Sequence, residues 1–130
     1  MRPINQHAQR IMDRLASLAE AEGGSVRIDN TEGAFMPLCV ELLPRERISL
    51  AHYGECNGDP MRDPEMVFWR AANGRHYPVY FRNDYAGIER EAVLEFGADG
   101  MPVRYYRREQ ADQAVFAGTW LRNIREQQGV

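Results

Sequence analysis

His52-Tyr53-Gly54-Glu55-Cys56-Asn57-Gly58-Asp59-Pro60-Met61-Arg62-Asp63-Pro64-Glu65-Met66 runs between two segments that alternate apolar and polar residues. Before its end is reached, Ile48, Leu50 and His52 fall on one face of an extended chain and Ser49, Ala51 and Tyr53 on the other. Beyond it, Met66 and Phe68 alternate with Val67 and Trp69. Alternation with period two on both sides of a turn-rich connection is the mark of neighbouring antiparallel strands. The run itself holds an Asn-Gly step, two Asp-Pro steps and the acids Glu55, Asp59, Asp63 and Glu65. It reads as a proline-stiffened acidic loop joining the two strands.

Working outward, Ser25 to Asp29 and Phe35 to Leu43 alternate in the same way, with Pro37 marking an edge or an irregular start. Asn73-Gly74 is a turn ahead of a strand from His76 to Arg82. Ile88 to Phe96 interleaves Glu89, Glu91 and Glu95 with apolar residues and reads as one half-wet strand; Gly97-Ala98-Asp99-Gly100 then turns the chain into a short last strand at 101–106. The two ends are helical. Ile4, Ala8, Ile11, Leu15, Leu18 and Ala19 form one stripe, opened near Pro3 and stopped by Gly23-Gly24. Ala111, Val115, Trp120, Leu121 and Ile124 form another between about 108 and 127. The expected fold is a single α+β domain over residues 1–130. An antiparallel meander of about five or six strands is flanked by an N-terminal and a C-terminal helix, both on one sheet face because each has one stripe to bury.

Composition narrows the function classes. A chain of 130 residues with 44% apolar and 27% charged residues can build one core and is not disordered by composition. Its net charge of −3 is too small to mark a nucleic-acid protein or a mimic of one. No apolar run suits a membrane span or a signal peptide, so a cytoplasmic protein without membrane contact is expected. All 16 basic residues are arginine, which removes Schiff-base, phosphate-loop and general-base lysines from consideration. Cys39 reads as a buried inert thiol and Cys56 as one whose acidic neighbours discourage a thiolate; a disulfide between them remains open.

Several constellations are candidates for chemistry. Asp59, Asp63 and Glu65 are oxygen donors of the kind magnesium or calcium takes, but their spacing matches no calcium loop, and no metal or cofactor is expected. His52, with Asp59, Asp63 and Glu65, is the set a small enzyme would use; His52 and His76 would form an acid–base pair if they met across neighbouring strands, with Glu55 or Asp84 close by. No histidine pair has zinc spacing. Arg104-Tyr105-Tyr106-Arg107-Arg108 mixes basic and aromatic groups as single-strand nucleic-acid surfaces do. A strand-to-helix junction explains it as well, so Arg104, Arg107 and Arg108 are a weak nucleic-acid candidate. Tyr77, Tyr80, Phe81 and Tyr85 read as core and rim.

The run His52-Tyr53, Asn57-Gly58-Asp59, Met61-Arg62-Asp63-Pro64-Glu65-Met66, followed by Tyr77-Pro78 and Asn83-Asp84-Tyr85-Ala86-Gly87-Ile88-Glu89, resembles an uncharacterised domain family carried by plasmids, integrated elements and phages. The likeness spans about residues 46 to 91; Cys56 and Pro60 depart from the more polar or aliphatic residues expected there. It brings no activity with it. The resemblance implies an accessory role in plasmid or phage maintenance, transfer or counter-defence, exerted by binding a macromolecule. A protein partner is favoured over nucleic acid, and the oligomeric state is open. The binding candidates are Asn57, Asp59, Arg62, Asp63, Glu65, Tyr80, Asn83, Asp84 and Tyr85. A small carboxylate–histidine enzyme, metal-assisted or not, and a nucleic-acid module are the alternatives.

Overall fold

The computed structural model describes residues 1–130. Helix α1 (Gln6–Ala21) leads into strands β1 (Ser25–Ile28), β2 (Leu38–Leu43), β3 (Arg47–Cys56), β4 (Asp59–Arg70), β5 (His76–Asn83) and β6 (Ile88–Glu91), which pair in that order as one antiparallel six-stranded sheet. Strands β7 (Val93–Phe96) and β8 (Pro102–Tyr105) form a separate hairpin before helix α2 (Arg107–Gln128). The α+β class, the meander and the two terminal helices are as the sequence patterns led us to expect.

Helix α1 begins where Asn5 Oδ1 accepts the Ala8 amide at 2.8 Å, so its cap is Asn5 rather than the preceding proline. It ends where Gly23 and Gly24 take φ of 87° and 123°, and the Gly24 amide closes on the Ala19 carbonyl. Its buried side, Ala8, Ile11, Met12, Leu15 and Ala19, meets Ala117, Trp120, Leu121 and Ile124 of α2 and Leu38, Val40, Ile48, Leu50, Met66 and Phe68 of the sheet in one core. Both helices therefore cover the same sheet face. Phe68 is fully enclosed there; truncating such a ring to alanine costs about 3–5 kcal/mol.

Three expectations need correction. The acidic run is not a loop: β3 and β4 continue through it to a two-residue turn at Asn57-Gly58, whose φ values are 53° and 86°. A register shift between Ala51 and Tyr53 and the two prolines break the alternation and hide the strands from a periodicity reading. The segment from Ile88 to Phe96 is not one strand. At Ala92 the chain leaves β5, with its amide on the Val79 carbonyl at 2.8 Å and its carbonyl taking the Tyr106 amide at 2.9 Å. The β7–β8 hairpin then folds over Trp69 and Val79, on the sheet face away from the helices. Finally, α2 turns Val115 to solvent and buries Gln110, Gln113 and Gln128.

Those glutamines are buried because backbone groups of other elements need partners. Gln110 takes the Arg2 amide and donates to the Arg2 carbonyl, both at 2.7 Å. Gln113 donates to the Arg90 carbonyl, while Gln128 accepts the Asn30 amide and donates to the Met36 carbonyl. Helix α2 thereby fastens the chain start, the β6 edge and the loop before β2.

Candidate functional site

On the sheet face opposite the helices, β3 presents Ser49, Ala51 and Tyr53, and β4 presents Arg62 and Glu65. Ala51, opposite Glu65 in the register, is 1% exposed. Glu65 accepts the Ser49 hydroxyl at 2.9 Å and pairs with Arg62 Nε at 3.2 Å. The Arg62 amide donates to Asp84 Oδ2 at 2.8 Å, and the Asp84 amide returns a bond to the Arg62 carbonyl at 2.9 Å. Arg82 Nε reaches Asp84 Oδ1 at 2.7 Å. The Tyr80 hydroxyl donates to Glu89 at 2.8 Å, and the Asn83 amide group to Asp63 at 3.0 Å. At the rim, the Tyr85 hydroxyl donates to the Glu55 carbonyl at 3.1 Å. The hairpin and the β5–β6 turn, distant in sequence, are thus sewn into one charged patch.

The electrostatics follow from these contacts. The Arg62 amide, and then the Arg82 guanidinium, hold the Asp84 carboxyl below its ordinary range, and the same bond to Asp84 secures the charge of Arg82. Burial, and then the Glu65 charge, push the Tyr53 hydroxyl up; burial and the bond to Glu89 do the same for Tyr80. These shifts keep both phenols protonated and the Asp84 carboxylate acceptor-only, which suits fixed recognition.

Most binding candidates meet in this hairpin–turn region, from both sides of the sheet. Arg62, Glu65, Tyr80 and Asp84 share the face opposite the helices, while Asp63 and Asn83 pair on the side of His52 and Phe81, where Tyr85 crosses Gly54. Asn57 and Asp59 lie at the hairpin tip. Inside the hairpin the acids differ: Asp59 opens β4 as an exposed residue opposite Cys56, whereas Asp63 is held by Asn83 and Glu65 by Ser49 and Arg62. Ser49 and Arg82 were missed, because nothing in their sequence neighbours marks them; cross-strand register alone brings them in.

The enzyme set does not converge. His52 is buried on the helix side, edge to face with Trp120 with ring centres 5.5 Å apart, and its Nδ1 lies 3.1 Å from the Pro37 carbonyl. Burial lowers its pKa, against smaller raising effects of that carbonyl and of Asp63. Glu65 lies on the opposite face. His76 belongs to β5, which β4 separates from β3, so the two histidines do not meet. His76 instead shares two hydrogen bonds with Gln9 of α1. No three histidine, cysteine or carboxylate side chains gather around a point that could hold a metal. Both cysteines are free, Cys39 half-buried beneath the patch and Cys56 exposed at the hairpin. Arg104 to Arg108 forms the junction of β8 and α2, where Arg104 faces Glu95, and Arg90 and Glu109 pair close by. Charges of both signs alternate there, unlike a nucleic-acid stripe. The aromatic cluster is divided: Phe81 packs on Phe116, Tyr77 on Trp69, and Tyr80 and Tyr85 join the patch.

A six-stranded antiparallel sheet with two helices on one face and a charged, self-paired network on the other defines a two-layer α+β domain. The chain belongs to the family described as a domain of unknown function, DUF6908, which matches residues 6–130. No curated protein and no solved structure gives a significant match. No helix is long and apolar enough to cross a membrane.

Proposed function

We propose that the domain is an accessory module that acts by binding a protein through the patch formed by the β3–β4 hairpin and the β5–β6 turn. The supporting observation is the reciprocal bonding of Arg62 and Asp84, which joins the two segments and orders the patch before any partner arrives. Pre-ordering removes part of the entropic cost of association. Tyr53 and Tyr85 are 40% and 51% exposed at its rim and supply the rigid, amphipathic contacts that interfaces favour. Carboxylates outnumber guanidinium groups: Glu55, Asp59, Asp63, Glu65, Asp84 and Glu89 surround Arg62 and Arg82. The partner is accordingly a protein with a basic docking surface. In the mobile-element setting that the resemblance implies, the process is plasmid or phage maintenance, transfer or counter-defence, carried out in the cytoplasm.

The test is affinity capture from the native host, followed by binding measurements with the recovered partner. Glu55→Gln with Asp59→Asn removes exposed tip charges that the fold does not use, and Tyr85→Ala removes a rim aromatic. The expected outcome is unchanged melting with slower association, the charge effect fading as salt rises. Folded variants that capture the same partner at wild-type rates would dismiss this surface.

A further inference from the structure

We infer that a second site lies on the same sheet face at its other end, where an open groove of about 710 Å³ takes a small organic anion with a flat apolar ring. The groove lies between the β2–β3 turn, the end of β4 and the β7–β8 hairpin. Its wall is aromatic: Phe96 and Trp69 stand edge to face with ring centres 6.4 Å apart. Arg47 lies over the Phe96 ring, its guanidinium carbon 4.0 Å from the centroid. Its Nε is buried without a hydrogen-bond partner. A guanidinium stacked on one face with its Nε buried keeps the in-plane donors of its two terminal nitrogens for a ligand, and two parallel bonds to a carboxylate are the pairing it makes best.

The acids of the groove are already engaged. Glu46 Oε2 receives both Arg70 Nε at 3.0 Å and Nη2 at 2.8 Å. Asp99 Oδ1 takes the Met101 amide at 3.0 Å. Arg45 adds a second exposed guanidinium, held on a turn where Arg45 and Glu46 have φ of 64° and 59° and the Glu46 carbonyl accepts the Arg70 amide at 2.8 Å. The local excess of charge is positive on a protein whose net charge is −3. Size and aromatic wall are those of a small-molecule site, and the guanidinium groups supply its polar contacts. The site is separate from the binding patch and stands or falls independently of it.

The experiment uses the full chain, nitrogen-15 labelled, titrated with 1-naphthoate, with the neutral analogue 1-naphthalenemethanol and with acetate. Naphthoate should saturate with a dissociation constant on the order of 1 mM, the range for a fragment in an open groove. The shifted amides should be those of 45–47, 69–71 and 96–101. The neutral alcohol and acetate should each bind about tenfold more weakly or not at all, as expected when one charge-assisted bond or the stacked ring is lost. Arg47→Gln should bring naphthoate down to the alcohol's level, and Arg45→Gln, at an exposed turn, should weaken it less. If Arg47→Gln fails to fold, which its spectrum will show, Phe96→Leu and Arg45→Gln decide the matter. Equal binding of acid and alcohol, shifts mapping elsewhere, or wild-type affinity in the folded variants would overturn the site.

Discussion

Arg62 and Asp84 bind each other through both backbones. The Arg62 amide donates to the Asp84 carboxylate at 2.8 Å, the Asp84 amide donates to the Arg62 carbonyl at 2.9 Å, and the Arg62 guanidinium adds a contact to the same carboxylate at 3.9 Å. This pair is what converts a long hairpin and a turn into one surface.

Replacing Asp84 should therefore loosen the hairpin. Asp84→Ala strands the Arg62 amide and frees Arg82, so hydrogen exchange at Arg62 should accelerate and the melting temperature fall. Asp84→Asn keeps one acceptor oxygen, enough for the Arg62 amide but not for Arg82 as well, and should be milder. The pH dependence has a definite sign. The folded carboxyl titrates below its ordinary 3.8, so its contribution is present above that value and is lost as pH falls through the lower, folded one. An NMR titration following the Arg62 amide checks both points; an alanine variant with wild-type exchange at Arg62 would show that the pair carries nothing.

His76 should make the fold sensitive to mild acid. It is 2% exposed, and its Nδ1 sits 2.8 Å from Gln9 Nε2, an atom that only donates, so the ring accepts there and is neutral. Burial lowers its pKa from 6.5 to about 4. The unfolded chain takes up the proton first, so stability is full above pH 6.5 and declines as pH falls toward 4. The loss amounts to about 3 kcal/mol at most. Urea titrations across this range should show the slope in the wild type and a reduced slope in His76→Gln, with the remainder due to His52, whose shift has the same direction.

Gln110 should matter to stability although it lies far from the patch. Gln110→Leu preserves bulk but leaves both the amide and the carbonyl of Arg2 without their partner, at a cost of about 1–3 kcal/mol. The urea midpoint should fall with little change in slope, and the Ile4 amide, bound to the His76 carbonyl at 3.0 Å, should lose protection from exchange.

Gly54 should tolerate no side chain without moving Tyr85. A Cβ there would collide with the Tyr85 hydroxyl, which now donates to the Glu55 carbonyl. The tyrosine is the free end of an exposed side chain, so Gly54→Ala should fold with a small loss of melting temperature while the Tyr85 ring resonances shift strongly. Partner binding should drop with it. Unmoved Tyr85 resonances would separate the glycine from the rim.

Read alone, the sequence determined the elements and their faces. Alternation at Ile48-Leu50-His52 and at Met66-Phe68 defines the buried side of the sheet, and the stripes of the two helices require a shared apolar face, because burying apolar area is the dominant favourable term and leaves a periodic trace. It also brought forward the hairpin and turn motifs that carry most of the candidate patch. Only the tertiary structure decided what those residues do. Glu65 and Ser49 meet through strand register, Arg62 and Asp84 through the return of β5 beside β4, and Arg47 and Phe96 through a hairpin that leaves the sheet at Ala92. The buried glutamines of α2 show the same division. A polar residue in a helix reads as solvent-facing until the backbone groups it must satisfy are brought to it by other parts of the chain, and hydrogen bonds between distant residues leave no period in a sequence.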